Sequence, residues 1–153
     1  MFFLSQSEKE KNEYISYLKG ISCLSRLFSD NDVPYLSYRA SENIFCLAFN
    51  ATNVSRTDCS ADAMKKVQDI NLGVGIKTFD EKNGKSFQKI AEFNKDLKEN
   101  IKQSMNQHEL IEFVSSLRNK RIQSTQAMLG LDNIIYHCIV RNKGMLNIYE
   151  GDV

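Results

Sequence analysis

Proline is nearly absent, with 1 in 153 residues, and tryptophan is missing altogether. A Pro-rich linker is thereby excluded, and no repeat or low-complexity tract divides the chain. No apolar run approaches the roughly 18 residues of a membrane helix, so no membrane association is expected. The opening "MFFLSQSEKEKNEY" has too short an apolar stretch, and no basic leader, for a signal peptide. Cys23, Cys46, Cys59 and Cys138 form no CxxC pair and no zinc spacing. They read as buried, reduced thiols of a cytoplasmic protein. Charge of one sign is also lacking: the net value is +1, so any nucleic-acid surface has to be a local patch. The loops GxxxxGK, GxSxG and HExxH do not occur. His108 starts a helix and His137 sits in an apolar strand; neither has a partner at triad or metal spacing, and both read as structural.

What is present suits one domain over residues 1–153 with a sizeable core. The chain stops soon after a strand, which leaves open that it is the N-terminal part of a longer protein. Tyr14, Ile15, Leu18, Ile21, Leu24 and Leu27 recur at helical spacing, predicting a helix over 8–29 that "SDNDVP" ends. "ASENIFCLAFNA" is short enough for a strand and is read in preference as a second helix, capped by Ser41, with Ile44, Phe45, Ala48 and Ala51 on one side. "VSRTDCSADA" and "INLGVGIKTF" alternate and read as strands. Two helices are expected next, over 85–105 and 107–128. The second is built on Leu110, Ile111, Val114, Leu117, Ile122 and Met128, with Gly130 at its end. "NIIYHCIV" and "MLNIYE" close the chain as strands around an "RNKG" turn. The predicted class is α/β or α+β, a mixed sheet flanked by helices.

The chemistry concentrates on two of these strands. In "GVGIKTF", Gly73, Gly75 and Lys77 share a face, so a ligand could approach the backbone beside an ammonium that can hold phosphate. Alternation in "SRTDCSADA" puts Arg56, Asp58, Ser60 and Asp62 on one face. Hard cations such as Mg²⁺ take one or two carboxylates plus phosphate and water. Carboxylates facing one lysine across adjacent strands are a minimal metal-dependent phosphodiesterase constellation.

Asp62 followed by Gly75-Ile76-Lys77 resembles the core of the PD-(D/E)XK nuclease superfamily, which includes many type II restriction endonucleases. The resemblance spans about residues 41 to 140 and implies a restriction-endonuclease-like fold. It also implies a Mg²⁺- or Mn²⁺-dependent endonuclease, double-stranded DNA as substrate, and a homodimer. Asp62 and Lys77 take the family's positions, with Asp58 as the substitute for Asp62. The family's usual acid two residues before the lysine is replaced here by Gly75. One branch tolerates a small residue there and supplies a glutamate from the following helix; Glu92, 15 positions after Lys77, matches that site approximately. Glu42, in the helix before the aspartate strand, is the other source. Helical spacing sets Glu92 nearly opposite the Ile90, Leu97 and Ile101 stripe, and the expected site is Asp62 and Lys77 with Glu42 near it. Expected DNA contacts are Arg56, Ser60, Lys85, Lys89, Arg118, Lys120 and Arg121. The competing reading is a non-catalytic DNA-binding or protein-interaction domain on the same frame, favoured by the glycine at position 75.

Overall fold

The computed structural model describes residues 1–81 and 105–153. Its elements are α1 (Phe2–Ser5), α2 (Glu8–Leu24) with a 3-10 turn (Ser25–Leu27), α3 (Tyr38–Phe49), β1 (Thr52–Asn53), β2 (Ala63–Val67), β3 (Ile70–Asp80), α4 (Gln107–Leu129), β4 (Asn133–Asn142) and β5 (Met145–Asp152). The sheet runs β1-β2-β3-β4-β5; β3 and β4 pair in parallel and the other neighbours are antiparallel. This is the mixed sheet with flanking helices that the sequence predicts. The expected helix over 85–105, with Lys85, Lys89 and Glu92, lies outside the described residues except for Met105.

Two apolar clusters sit on opposite faces of the sheet. Even-numbered residues of β3 and odd-numbered residues of β4, among them Val74, Ile76, Ile135 and Ile139, pack with Tyr14, Leu18, Phe45 and Phe49 of α2 and α3. On the other face Leu131 and Ile134 pack with Val54 and Ala61, and Ile122 and Leu129 of α4 cover them. Alternation in both strands dictates this split.

The helices start and stop where local chemistry allows. Ser7 and Glu10 form a capping box at α2, and Asn106 and Glu109 form another at α4. Asn50 and Gly130 end α3 and α4 in the left-handed region. The start of α3 differs from expectation. Ser37 is its N-cap, and Ser41 is buried inside the helix, donating its hydroxyl to the Ser37 carbonyl at 3.1 Å. On α4, Ile111 and Met128 of the expected stripe are exposed, Leu110, Val114, Leu117 and Ile122 are half-buried, and Thr125 is buried.

"VSRTDCSADA" is not a strand. Residues 54–62 form a loop, and β2 begins only at Ala63. The loop closes on itself: Val54 N donates to Asp62 O at 3.0 Å, and Thr57 Oγ1 donates to the Val54 carbonyl. Asp58 takes a positive φ of 48°, tolerable for Asp and incompatible with the alternation the sequence suggested. The polar run makes local side-chain-to-backbone bonds, which compete with a strand ladder.

Candidate functional site

The loop delivers Asp62 to the point where β2 leaves β3. Pairing between them ends at Ala63 opposite Val74, and among the described residues no strand pairs β3 beyond it on that side. Asp62 continues the ladder with its own atoms. Its N–H donates to Val74 O at 2.9 Å, and its Oδ2 accepts from Ile76 N at 2.7 Å. The same Oδ2 accepts from Lys77 Nζ at 3.2 Å. The pair is partly solvent-accessible, with side chains 19% and 27% exposed for Asp62 and Lys77. Asp62 and Lys77 are thus brought together as the sequence predicts, although a loop replaces one of the two strands.

Glu42, on α3, lies within electrostatic reach of Asp62 and Lys77. It is only 5% exposed, and among the described residues its Oε2 has no hydrogen-bond partner. Burial raises its carboxyl above the ordinary value; the nearby Ser55 hydroxyl opposes the rise and the Asp62 charge adds to it. That hydroxyl gives its hydrogen to Asn53 Oδ1 at 2.7 Å, so Glu42 Oε2 remains unserved. Cys46, one turn further along α3, senses the same field. Burial pushes its thiol up to about 11, with Glu42 and Asp62 contributing, which makes it a poor nucleophile.

Carboxylate oxygens of this kind are what a hard cation takes. Glu42 Oε2 is an orphaned buried oxygen, and Asp62 keeps Oδ1 outside its two protein bonds. Among the described residues no group of three or more His, Cys, Asp or Glu converges. A cation here would therefore take two carboxylates and fill its shell with phosphate and water, as Mg²⁺ commonly does.

The other expected ligand does not join. Asp58 is 97% exposed at its side chain, and its carboxylate is held by Arg121 Nη2 at 2.9 Å. Ser60 uses its backbone, donating N–H to the buried Thr125 Oγ1 at 2.9 Å. These two bonds fasten the loop to α4. Arg56 and Lys120 are exposed.

The bare face of β3 has a different cause from the one the sequence suggests. A Cβ on Gly75 would lie 2.9 Å from Tyr136 Cδ1, and one on Gly73 would lie 2.7 Å from Leu131 Cδ1. The glycines are cleared for side chains of β4 and its approach, not for a ligand. Tyr136 was not singled out by sequence reading; only its register opposite Gly75, hidden until the parallel pairing is known, reveals it. Its ring lies 5.9 Å from Lys77 Nζ and 5.7 Å from Arg118 Cζ.

His137 has partners the sequence does not disclose. It is fully buried, with Nε2 2.8 Å from the Tyr14 hydroxyl and Nδ1 2.8 Å from Glu150 Oε1. Glu150 also accepts from Phe3 N through both oxygens. Burial, with Glu150 adding, pushes the Tyr14 phenol well above its usual range. This chain of groups ties α1, α2, β4 and β5 together, and its Glu150 end lines a cavity. An apolar cavity of about 740 Å³ lies nearby, between α1, α2 and β5, and Phe3, Leu18 and Ile148 line it. It is lined by neither Asp62 nor Lys77. No helix among the described residues is long and apolar enough to cross a membrane.

Comparison with protein-family models, with curated proteins and with solved structures finds no match to this chain.

Proposed function

We propose that this chain is a metal-dependent endodeoxyribonuclease of the restriction-enzyme type, acting on double-stranded DNA in the cytoplasm and working as a homodimer. The observation that carries the reading is the Asp62–Lys77 pair at 3.2 Å with the unpartnered Glu42 oxygen in its field. Asp62 and Glu42 would hold Mg²⁺ or Mn²⁺, which supplies Lewis acidity at the phosphate and a lowered pKa for water when bound. Lys77 neutralises charge that grows on the phosphate oxygens during attack. Asp62, pinned by the Ile76 N–H, fixes where that ammonium stands. Arg118, Arg121, Lys120 and Arg56 supply cations for the DNA backbone.

The test is the melting temperature with and without Mn²⁺. Wild type should gain several degrees at saturating metal, because a ligand that binds only the folded state stabilises it. Asp62→Asn should gain nothing. An equal gain in both proteins would remove Asp62 from the metal site.

One observation favours a second reading, a non-catalytic DNA-binding or protein-interaction domain. The Tyr136 ring occupies the space where an acid at position 75 would project. DNA binding that persists without any metal response would select that reading.

A further inference from the structure

Arg118 and Tyr136 form a wall beside the candidate site. Arg118, from α4, is half-buried, and its guanidinium stands 5.7 Å from the Tyr136 ring centroid. Among the described residues its one side-chain hydrogen-bonding contact is long, Nη2 to the Tyr136 hydroxyl at 3.5 Å. Among the described residues no carboxylate comes within ion-pair distance of it. Arg121, one turn further on, is by contrast held by Asp58. Lys77, on the same ring at 5.9 Å, is held by Asp62. So, among the described residues, one cation of this group is left without a carboxylate, half-buried against the ring that Lys77 also approaches. A guanidinium fork in that setting matches a phosphate.

We propose that Arg118, seated against Tyr136, is a subsite for a backbone phosphate neighbouring the one held at Asp62 and Lys77. The site would then take a polynucleotide chain and not a lone phosphoester. The inference rests on reading the Asp62–Lys77 pair as a phosphodiester site. Tyr136 is a positioning residue: its ring closes the face of β3 above Gly75, and its hydroxyl is the group Arg118 leans on.

The experiment compares binding of thymidine 3′,5′-bisphosphate and thymidine 5′-monophosphate in Ca²⁺, together with the salt dependence of duplex DNA binding. Wild type should prefer the bisphosphate by about tenfold, the effect of one charge-assisted contact. Arg118→Ala should bring the ratio close to parity and reduce the salt slope for DNA by about one. Arg118→Lys should keep the slope, since charge is retained, and lose part of the preference, since the fork is not. Tyr136→Phe should keep the slope as well. An Arg118→Ala protein with the wild-type ratio and the wild-type slope would overturn the subsite. Absence of plasmid cleavage with the bisphosphate preference intact would sink the nuclease reading and leave the subsite standing.

Discussion

Asp62 has two tasks that single substitutions can separate. Its carboxylate serves the Ile76 N–H, which belongs to a residue only 4% exposed, as well as the Lys77 ammonium. Asp62→Ala leaves that N–H buried and unpaired, and should cost about 1–3 kcal/mol in urea denaturation. Asp62→Asn keeps an accepting oxygen and should cost clearly less. Equal losses would show that the N–H bond is not what the carboxylate contributes. Glu42 makes the opposite prediction. Its carboxyl is raised above 4.5 by burial, so the folded state prefers it protonated, and charging it costs stability as pH climbs through the raised value. Glu42→Gln should therefore melt a few degrees higher than wild type at pH 7. The difference should vanish below about pH 4, where both folded and unfolded wild type carry the proton. A Glu42→Gln protein less stable at pH 7 would mean that the charge is welcomed by a partner. Stability given up at one buried acid is what a metal-binding role would exact.

At the scale of elements, β3 and β4 decide what position 75 can hold. The Gly75 backbone and the Tyr136 ring share one site, so Gly75→Asp, which introduces the acid of the motif that the sequence resembles, should destabilise by about 1–3 kcal/mol through overpacking. Combining it with Tyr136→Ala should recover part of that loss, and a double-mutant cycle by urea denaturation would read the coupling. Strict additivity would mean the two side chains do not compete. The loop over 54–62 offers a parallel case. Thr125→Val removes the acceptor for Ser60 N–H and should cost about 1 kcal/mol, with faster amide exchange at Ser60. Asp58→Ala breaks only an exposed pair with Arg121 and should be nearly neutral. These two elements also show what a single sequence discloses. The alternation of β3 is a strong periodic signal and the strand forms where that pattern predicts, whereas α3 forms as a helix but starts at Tyr38, before its expected cap. The loop defeats the same reasoning, because alternating polar residues in "SRTDCSADA" carry no apolar face to bury. The role of Gly75 was invisible for another reason: it depends on a parallel partner 61 residues later in the chain.

Across the whole molecule, the sheet brings residues from α3, the loop before β2, β3, β4 and α4 to one end of β3. Asp62 and Lys77 were legible as a pair from the motif alone. Glu42 was expected near them, although a helix acid near a cap has ordinary reasons to be there. Tyr136 and the buried link of Tyr14, His137 and Glu150 were not legible, because nothing in their local spacing records contacts made across 123 and 13 residues. The central claim is that this assembly cleaves phosphodiester bonds, and nicking of supercoiled plasmid DNA in Mg²⁺ or Mn²⁺ tests it most directly. The account predicts metal-dependent nicking by wild type that falls by at least about a hundredfold in Asp62→Ala and in Lys77→Ala. Nicking that survives both substitutions, or no nicking by a folded wild type that binds DNA, would contradict it.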